Sequence, residues 1–262
     1  MTNTTSYQWR EDGWQPIAGI PLSDRGFRHG MSAFETVRIY NGRLVAMHAH
    51  LEKLRHACAQ IGLREPPEIL ARFVPEVEHG TARIYVTAGD GSFRDPISHG
   101  RIVLLVEAAS FPAPHSPVSL SLSPIMSAPL WPGLKTGNYW PHIAAFRSAG
   151  EFQIDEAVLI NGSNHVVSAS LANLFAVIDG LLLTPRVSAG ARAGVMRDWI
   201  IAREDVIISD FHPEQLRGAT EIFLSSSGFG VAPIATFEGK RLPSQRIGRE
   251  LLSRYEQWLQ DA

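Results

Sequence analysis

The stretch PGLKTGNYWPHI, Pro132 to Ile143, sets a lone lysine, Lys135, between a Pro-Gly turn and an aromatic run that reads as the start of a helix. A lysine amine either stays hydrated as a cation or, when shielded from water, serves as a nucleophile and proton carrier. Local sequence alone favours the first reading, because the long side chain of a loop lysine usually reaches water. Any case for chemistry must come from the elements that place the residue.

Those elements are legible in outline. FETVRIYNGRLV (34–45) alternates around Asn41-Gly42 and predicts a hairpin. Met47, Leu51, Leu54, Cys58 and Ile61 recur at helical spacing, and Gly62 stops that helix. PPEILARFVPEVEHG predicts a second helix divided at Pro75, and ARIYVTAG and RIVLLVEAA predict strands. SFPAPHSP is Pro-rich and aperiodic, a linker over 111–118 between a domain at 1–110 and another at 119–262. Beyond it lie the strand VSLSLSPI and the helix NYWPHIAAFRSAG, with Pro141 in its first turn and Gly150 as its stop. The strands EAVLI, HVVSAS, NLFAVI and GLLLTP, the helix AGVMRDWIIARE, the strands EIFLSSS and GVAPIATF, and the helix SQRIGRELLSRYEQWL complete an α+β chain.

The totals exclude several classes. A formal net charge of −2 over 262 residues gives no electrostatic reason to expect nucleic acid or an anionic membrane as partner. Cys58 is the sole cysteine, so no intrachain disulfide forms. The polar N-terminus lacks the apolar core of a secretory signal, and no apolar run approaches a membrane span. A soluble cytoplasmic protein without a metal site is expected.

DRGFRHGMSAFETVR (24–38), HLEKLRHA (50–57), LKTGNY (134–139), DEAVLINGSNHVVSASLANLF (155–175), LLTPRVSAGARAGVMRD (182–198) and EIFLSSSGFGVAPI (221–234) occur here in one order. By that ordered set the chain resembles the class IV, or fold-type IV, pyridoxal-phosphate enzymes: branched-chain aminotransferases, D-amino acid aminotransferases and aminodeoxychorismate lyases. The resemblance implies a small α/β N-terminal domain, a strand-rich pseudo-barrel C-terminal domain, pyridoxal 5'-phosphate as cofactor and a homodimer. It makes Lys135 the residue that carries the cofactor and moves the substrate's α-proton. Thr36 matches a hydroxyl proposed in the lyases to donate a proton to the departing enol-pyruvate, a position where many family aminotransferases also carry threonine. Tyr139 matches a donor to the cofactor's phenolic oxygen, with packing at a helix start as the alternative, and Asn138 matches a structural loop position. For the phosphate, the resemblance nominates the main chain of Gly194, Val195 and Met196, the hydroxyls of Ser226 and Ser227, and Lys53 where the family usually has an arginine. Arg38, Arg83 and Arg94 are candidates for substrate carboxylates.

Three family carboxylates are missing, replaced by Met31, Ser168 and Gly230. Ser168 stands where a glutamate pairs with the pyridine nitrogen, and Arg192 stands where an aliphatic residue usually packs on the ring. Both changes weaken the cofactor as an electron sink. The closest reading is an aminodeoxychorismate lyase, which eliminates pyruvate to give 4-aminobenzoate. A branched-chain-type aminotransferase and a degenerate, non-catalytic relative are the alternatives.

Overall fold

A computed structural model of the chain describes residues 4–11, 13–97, 100–109, 119–123 and 125–261. The expected linker at 111–118 lies outside the described residues. The chain divides into two compact units, one of Met1–Pro114 with Leu134–Asn138, the other of His115–Gly133 with Tyr139–Asp261.

The first unit is a six-stranded antiparallel sheet. Its strands are β1 (Thr4–Arg10), β2 (Gly13–Pro16), β3 (Ser32–Tyr40), β4 (Arg43–Leu44), β5 (Gly80–Thr87) and β6 (Ile102–Ala108), in the order β2-β1-β6-β5-β3-β4. The β3–β4 hairpin forms as expected, with Asn41 and Gly42 both at positive φ (49° and 68°), the conformation a two-residue turn between twisted strands demands. A short helix α1 (Arg25–His29) precedes β3, and α2 (Met47–Ile61) packs on one face of the sheet. The α2 face buries Met47, Leu51, Leu54, Ala57 and Cys58 against Ala33, Val37, Ile39, Ala82, Ile84 and Val86. Each such leucine contributes about 2 kcal/mol through burial. Gly62, at φ 71°, ends α2 by donating its N–H to Cys58 O.

The second helix expected over PPEILARFVPEVEHG does not form; one 3-10 turn, Glu68–Arg72, is present there. Pro67 caps the turn in an extended conformation, and Pro75 disfavours the α region for Val74 and clashes with the carbonyl four residues back, so too few residues lie between them to propagate a longer helix. The β1–β2 hairpin went unread because TTSYQWR and GWQP lack clean alternation, yet Trp9 and Trp14 pack edge to face at 5.5 Å.

The second unit holds two five-stranded sheets. One has the order β12-β11-β10-β13-β14, from β10 (Asn173–Ile178), β11 (Leu181–Thr184), β12 (Val206–Ile208), β13 (Glu221–Ser226) and β14 (Gly230–Pro233). The other runs β16-β15-β7-β8-β9, from β7 (Ser119–Leu122), β8 (Glu156–Ile160), β9 (Val166–Ala169), β15 (Thr236–Phe237) and β16 (Lys240–Arg241). Leu174, Ala176, Ile222 and Leu224 share a core with Leu120, Val158, Val166 and Phe211. Four helices complete the unit: α3 (Trp140–Glu151), α4 (Val195–Ile201), α5 (Pro213–Arg217) and α6 (Arg246–Asp261). α3 carries Pro141 in its first turn as expected, but passes its expected stop at Gly150 by one residue. The strand expected over GVAPIATF breaks into β14 and β15, and α4 is shorter than its motif.

Candidate active site

In the first unit, β3 separates two kinds of side chain. Ala33, Val37 and Ile39 point into the core beneath α2, and on the same side His50 meets Glu35 at 2.8 Å. The alternate residues Phe34, Thr36 and Arg38 face the other way. Register places Tyr85 opposite Phe34, Arg83 opposite Thr36, and Glu107 two residues beyond the Leu105 that faces Arg83. Side chains directly opposed across antiparallel strands share a face. The surface away from α2 therefore carries Phe34, Thr36, Arg38, Tyr85, Arg83 and Glu107 together.

Lys135 reaches this face because residues 134–138 lie beside the open start of β3. Phe34 N–H donates to Lys135 O at 2.9 Å and Gly137 N–H to Ser32 O at 2.8 Å. A Cβ at Gly137 would sit 2.3 Å from Ser32 Oγ, and one at Gly30 would sit 2.5 Å from Asn138 Oδ1. The close approach thus requires both glycines and gives Asn138 the loop-packing position expected of it. The Lys135 amine donates to Thr36 Oγ1 at 3.4 Å and stands 4.8 Å above the Phe34 ring. Arg38 is buried on the same face, and half-buried Arg83 is ion-paired with Glu107.

The other candidates of this unit are placed differently. Half-buried Lys53 rides on α2, the helix that covers the opposite face of the sheet. Arg94 is exposed, its guanidinium 5.4 Å from the ring of its neighbour Phe93. Its loop is held by a residue that sequence reasoning passed over. Arg25, only 1% exposed, donates to the main-chain carbonyls of Ala88, Gly89, Ser92, Asp95 and Pro96. Asp24 beside it is fully buried; it caps α1 by accepting from Gly26 N–H and also accepts from Thr87 Oγ1 and Arg101. The cap was readable in the motif DRGF, whereas Arg25's acceptors are too distant in sequence to be read there.

The second unit groups the remaining candidates. Arg192 lays its guanidinium 4.4 Å over the Tyr139 ring, and Tyr139 stacks on His142 with centroids 5.0 Å apart and an interplanar angle of 22°. His142 Nδ1 is 2.9 Å from Ser170 O; a carbonyl only accepts, so Nδ1 carries the proton. Burial, reinforced by the Arg192 charge, pushes the His142 pKa down to about 4. Behind Ser170, buried Glu156 accepts from Ser170 Oγ, from Ser170 N–H at 3.1 Å and from Ala157 N–H at 3.0 Å. Burial raises the Glu156 pKa, and these hydrogen bonds oppose it. Ser168 is buried on β9 opposite Leu159.

Asn173 organises the start of α4. Its Nδ2 donates to Arg192 O at 2.8 Å, and a Cβ at Gly194 would lie 2.2 Å from its Oδ1. Gly194 is the N-cap and supplies no side-chain cap, so the first-turn amides of Val195 and Met196 have no acceptor within the helix. Ser225 faces Asn173 across the β10–β13 pair. Its Oγ is buried and has no hydrogen-bond partner among the described residues. Donors without acceptors beside an uncapped helix start fit an anionic group such as a phosphate. Ser226 ends β13 and Ser227 opens the turn after it, where Ser226 Oγ accepts from Phe229 N–H at 3.4 Å. The missing carboxylate at Gly230 has a packing cause: φ is 80°, and a Cβ there would lie 2.2 Å from the Tyr255 ring. The missing carboxylate at Met31 is likewise filled by packing, since Met31 lies against the first unit's core.

Among the described residues no group of three or more His, Cys, Asp or Glu side chains could hold a metal ion, and no helix is long and apolar enough to cross a membrane.

Comparison with known proteins places these features in a family. The amino-transferase class IV family model matches residues 32–237. The aminodeoxychorismate lyase of Vibrio harveyi is 26% identical over 250 residues, covering 88% of this chain and 91% of its own. The D-alanine aminotransferase of Staphylococcus epidermidis is 24% identical over 266 residues, covering 93% of each. The branched-chain aminotransferase of Thermoproteus uzoniensis, solved with norvaline, superposes with a TM-score of 0.87 at 19% identity, over 97% of this chain and 95% of that one. At that identity the likeness concerns the fold.

Proposed function

The chain belongs to the class IV aminotransferase family, a family of pyridoxal-phosphate-dependent transferases and lyases, and we propose that it acts as an aminodeoxychorismate-lyase-like enzyme. The overall change is an elimination: aminodeoxychorismate loses pyruvate and becomes 4-aminobenzoate. The observation that carries this reading is the 3.4 Å hydrogen bond from the Lys135 amine to the Thr36 hydroxyl, on a sheet face shared with Arg38 and Arg83.

The reaction needs a group to take a proton from carbon and a group to return one to the departing enol. An amine beside a hydroxyl supplies both. When bound, pyridoxal phosphate supplies the electron-withdrawing ring that stabilises negative charge next to the substrate nitrogen. Lys135 holds the cofactor and takes the proton; Thr36 delivers a proton to the methylene carbon of the leaving enol-pyruvate. Arg38 and Arg83 bind substrate carboxylates, Arg83 by exchanging its Glu107 partner, and Arg94 contributes from the loop held by Arg25. In the second unit, Gly194, Val195 and Met196 offer main-chain N–H groups to the phosphate, with hydroxyls from Ser226 and Ser227. Tyr139, Ser168 and Arg192 attend the ring. The enzyme works in the cytoplasm as a homodimer on a small carboxylate-bearing substrate.

The test incubates reconstituted protein with aminodeoxychorismate and, separately, with amino acids plus 2-oxoglutarate. Pyruvate and 4-aminobenzoate released in equal amounts, without amino transfer, support the lyase. Amino transfer without pyruvate release replaces it with a branched-chain-type transaminase. Neither product, from a protein that takes up no cofactor, selects the degenerate relative.

A further inference from the structure

His142 has no role in the reading above, yet it ends an unbroken polar chain that leads to two residues assigned to the cofactor. Glu156 fixes Ser170 through its hydroxyl and its N–H. The Ser170 carbonyl fixes the imidazole of His142 at 2.9 Å. The imidazole stacks on Tyr139, and Tyr139 carries the guanidinium of Arg192 on its ring. The main chain of Arg192 is tied separately by Asn173 at 2.8 Å, two residues ahead of the α4 cap. We propose that His142 is a positioning residue that seats Tyr139 and, through it, Arg192 for cofactor binding, and that it does so only as the neutral, Nδ1-protonated imidazole.

The tautomer follows from the acceptor, because a backbone carbonyl cannot donate. Neutrality follows from the surroundings. The facing groups are Arg192, a fixed cation; Tyr139; and Ser170, behind which Glu156 accepts from Ser170 and the Ala157 amide through Oε1. A second cation under the same ring would repel Arg192 in a partly desolvated site. The stack is therefore lost when the imidazole takes a proton.

The inference rests on the pyridoxal-phosphate reading, and the experiment separates the two. Cofactor affinity and the pH profile of the bound cofactor's absorbance are measured for wild type, His142→Phe and His142→Asn. Phenylalanine keeps the stack but cannot donate to Ser170; asparagine restores a donor. The expected result is about a tenfold weaker Kd for His142→Phe, the size of one lost hydrogen bond, and no full recovery in His142→Asn, which donates to Ser170 but has no ring to seat Tyr139. Wild-type affinity in His142→Asn would show that the stack plays no part and overturns the proposal. The imidazole is also titrated by NMR without cofactor in wild type and in Arg192→Gln, whose midpoint is expected to rise. His142→Phe with wild-type affinity and profile overturns the proposal, as does an imidazole midpoint indifferent to Arg192→Gln. Wild-type protein that takes up no pyridoxal phosphate overturns the function reading instead, while the NMR titration still decides whether the stack exists.

Discussion

The sheet face around Lys135 and the stack around Arg192 use polar groups in opposite ways. On the first, side chains come from the simple alternation of β3 and β5, and the lysine is delivered by a main-chain pairing of residues 134–138 with the start of β3. In the second, side chains from the start of α3, the end of β9 and the approach to α4 are locked to one another by a carbonyl, two rings and an amide. A pleated sheet presents reactive groups at fixed spacing at little further cost. A cluster drawn from loops needs buried partners for its polar atoms: Ser170 supplies one to His142, Glu156 to Ser170, and Asn173 to the Arg192 carbonyl.

The largest test of that contrast is Lys135→Ala. If Lys135 holds the cofactor, the wild type carries an absorbance band that borohydride removes; the variant is expected to lack it and to lower turnover by about 1,000-fold or more, leaving the second unit's stack intact by His142 NMR. Next comes Gly230→Val, which drives a side chain into the Tyr255 ring at φ 80°. It should destabilise by about 3 kcal/mol, read as a lower urea midpoint at unchanged m. A wild-type midpoint would show that Tyr255 yields readily.

A pH effect of about 2 kcal/mol at pH 5 follows from His142. Its folded pKa of about 4 lies below the ordinary 6.5, so the unfolded chain binds the proton more readily between those values. Stability is fully present above pH 6.5 and falls as pH drops toward 4. Glu156 has the opposite sign, because its raised pKa favours the folded state as pH falls. The clean measure is the wild-type minus His142→Asn difference, expected to shrink between pH 7 and 5. A pH-independent difference would place the imidazole in a different charge state.

Thr36→Val should slow pyruvate release about 10- to 100-fold while stability stays within about 1 kcal/mol, since it removes a proton donor and keeps the strand's shape. The smallest effect belongs to Arg94→Ala, expected to raise KM about threefold at unchanged kcat, as for an exposed side chain that assists binding alone. A larger loss in kcat would move Arg94 into the chemistry.

Much of the first region was legible before any coordinates. Alternation in FETVRIY put Thr36 and Arg38 on one face, and the order of motifs nominated Lys135. What was not legible shares one property: its partners are remote in sequence. Arg25 finds its carbonyls between 63 and 71 residues away, and nothing within DRGFRHG distinguishes a buried arginine from a solvated one. His142 and Glu156 likewise meet at Ser170, 28 and 14 residues further along. The failed second helix has a local cause, since apolar spacing was read there while prolines at 66, 67 and 75 bounded the segment too closely.

The five residues Leu134–Asn138 belong to the first unit, while the chain on both sides of them belongs to the second. Among the described residues the boundary is therefore crossed three times, once after Pro114 and once at each end of that insertion. Neither unit is a cassette that a single cut could lift out. Severing the chain near residue 115 would leave the lysine's segment covalently part of the far piece, and a graft of either half from a relative would have to carry the insertion with its host.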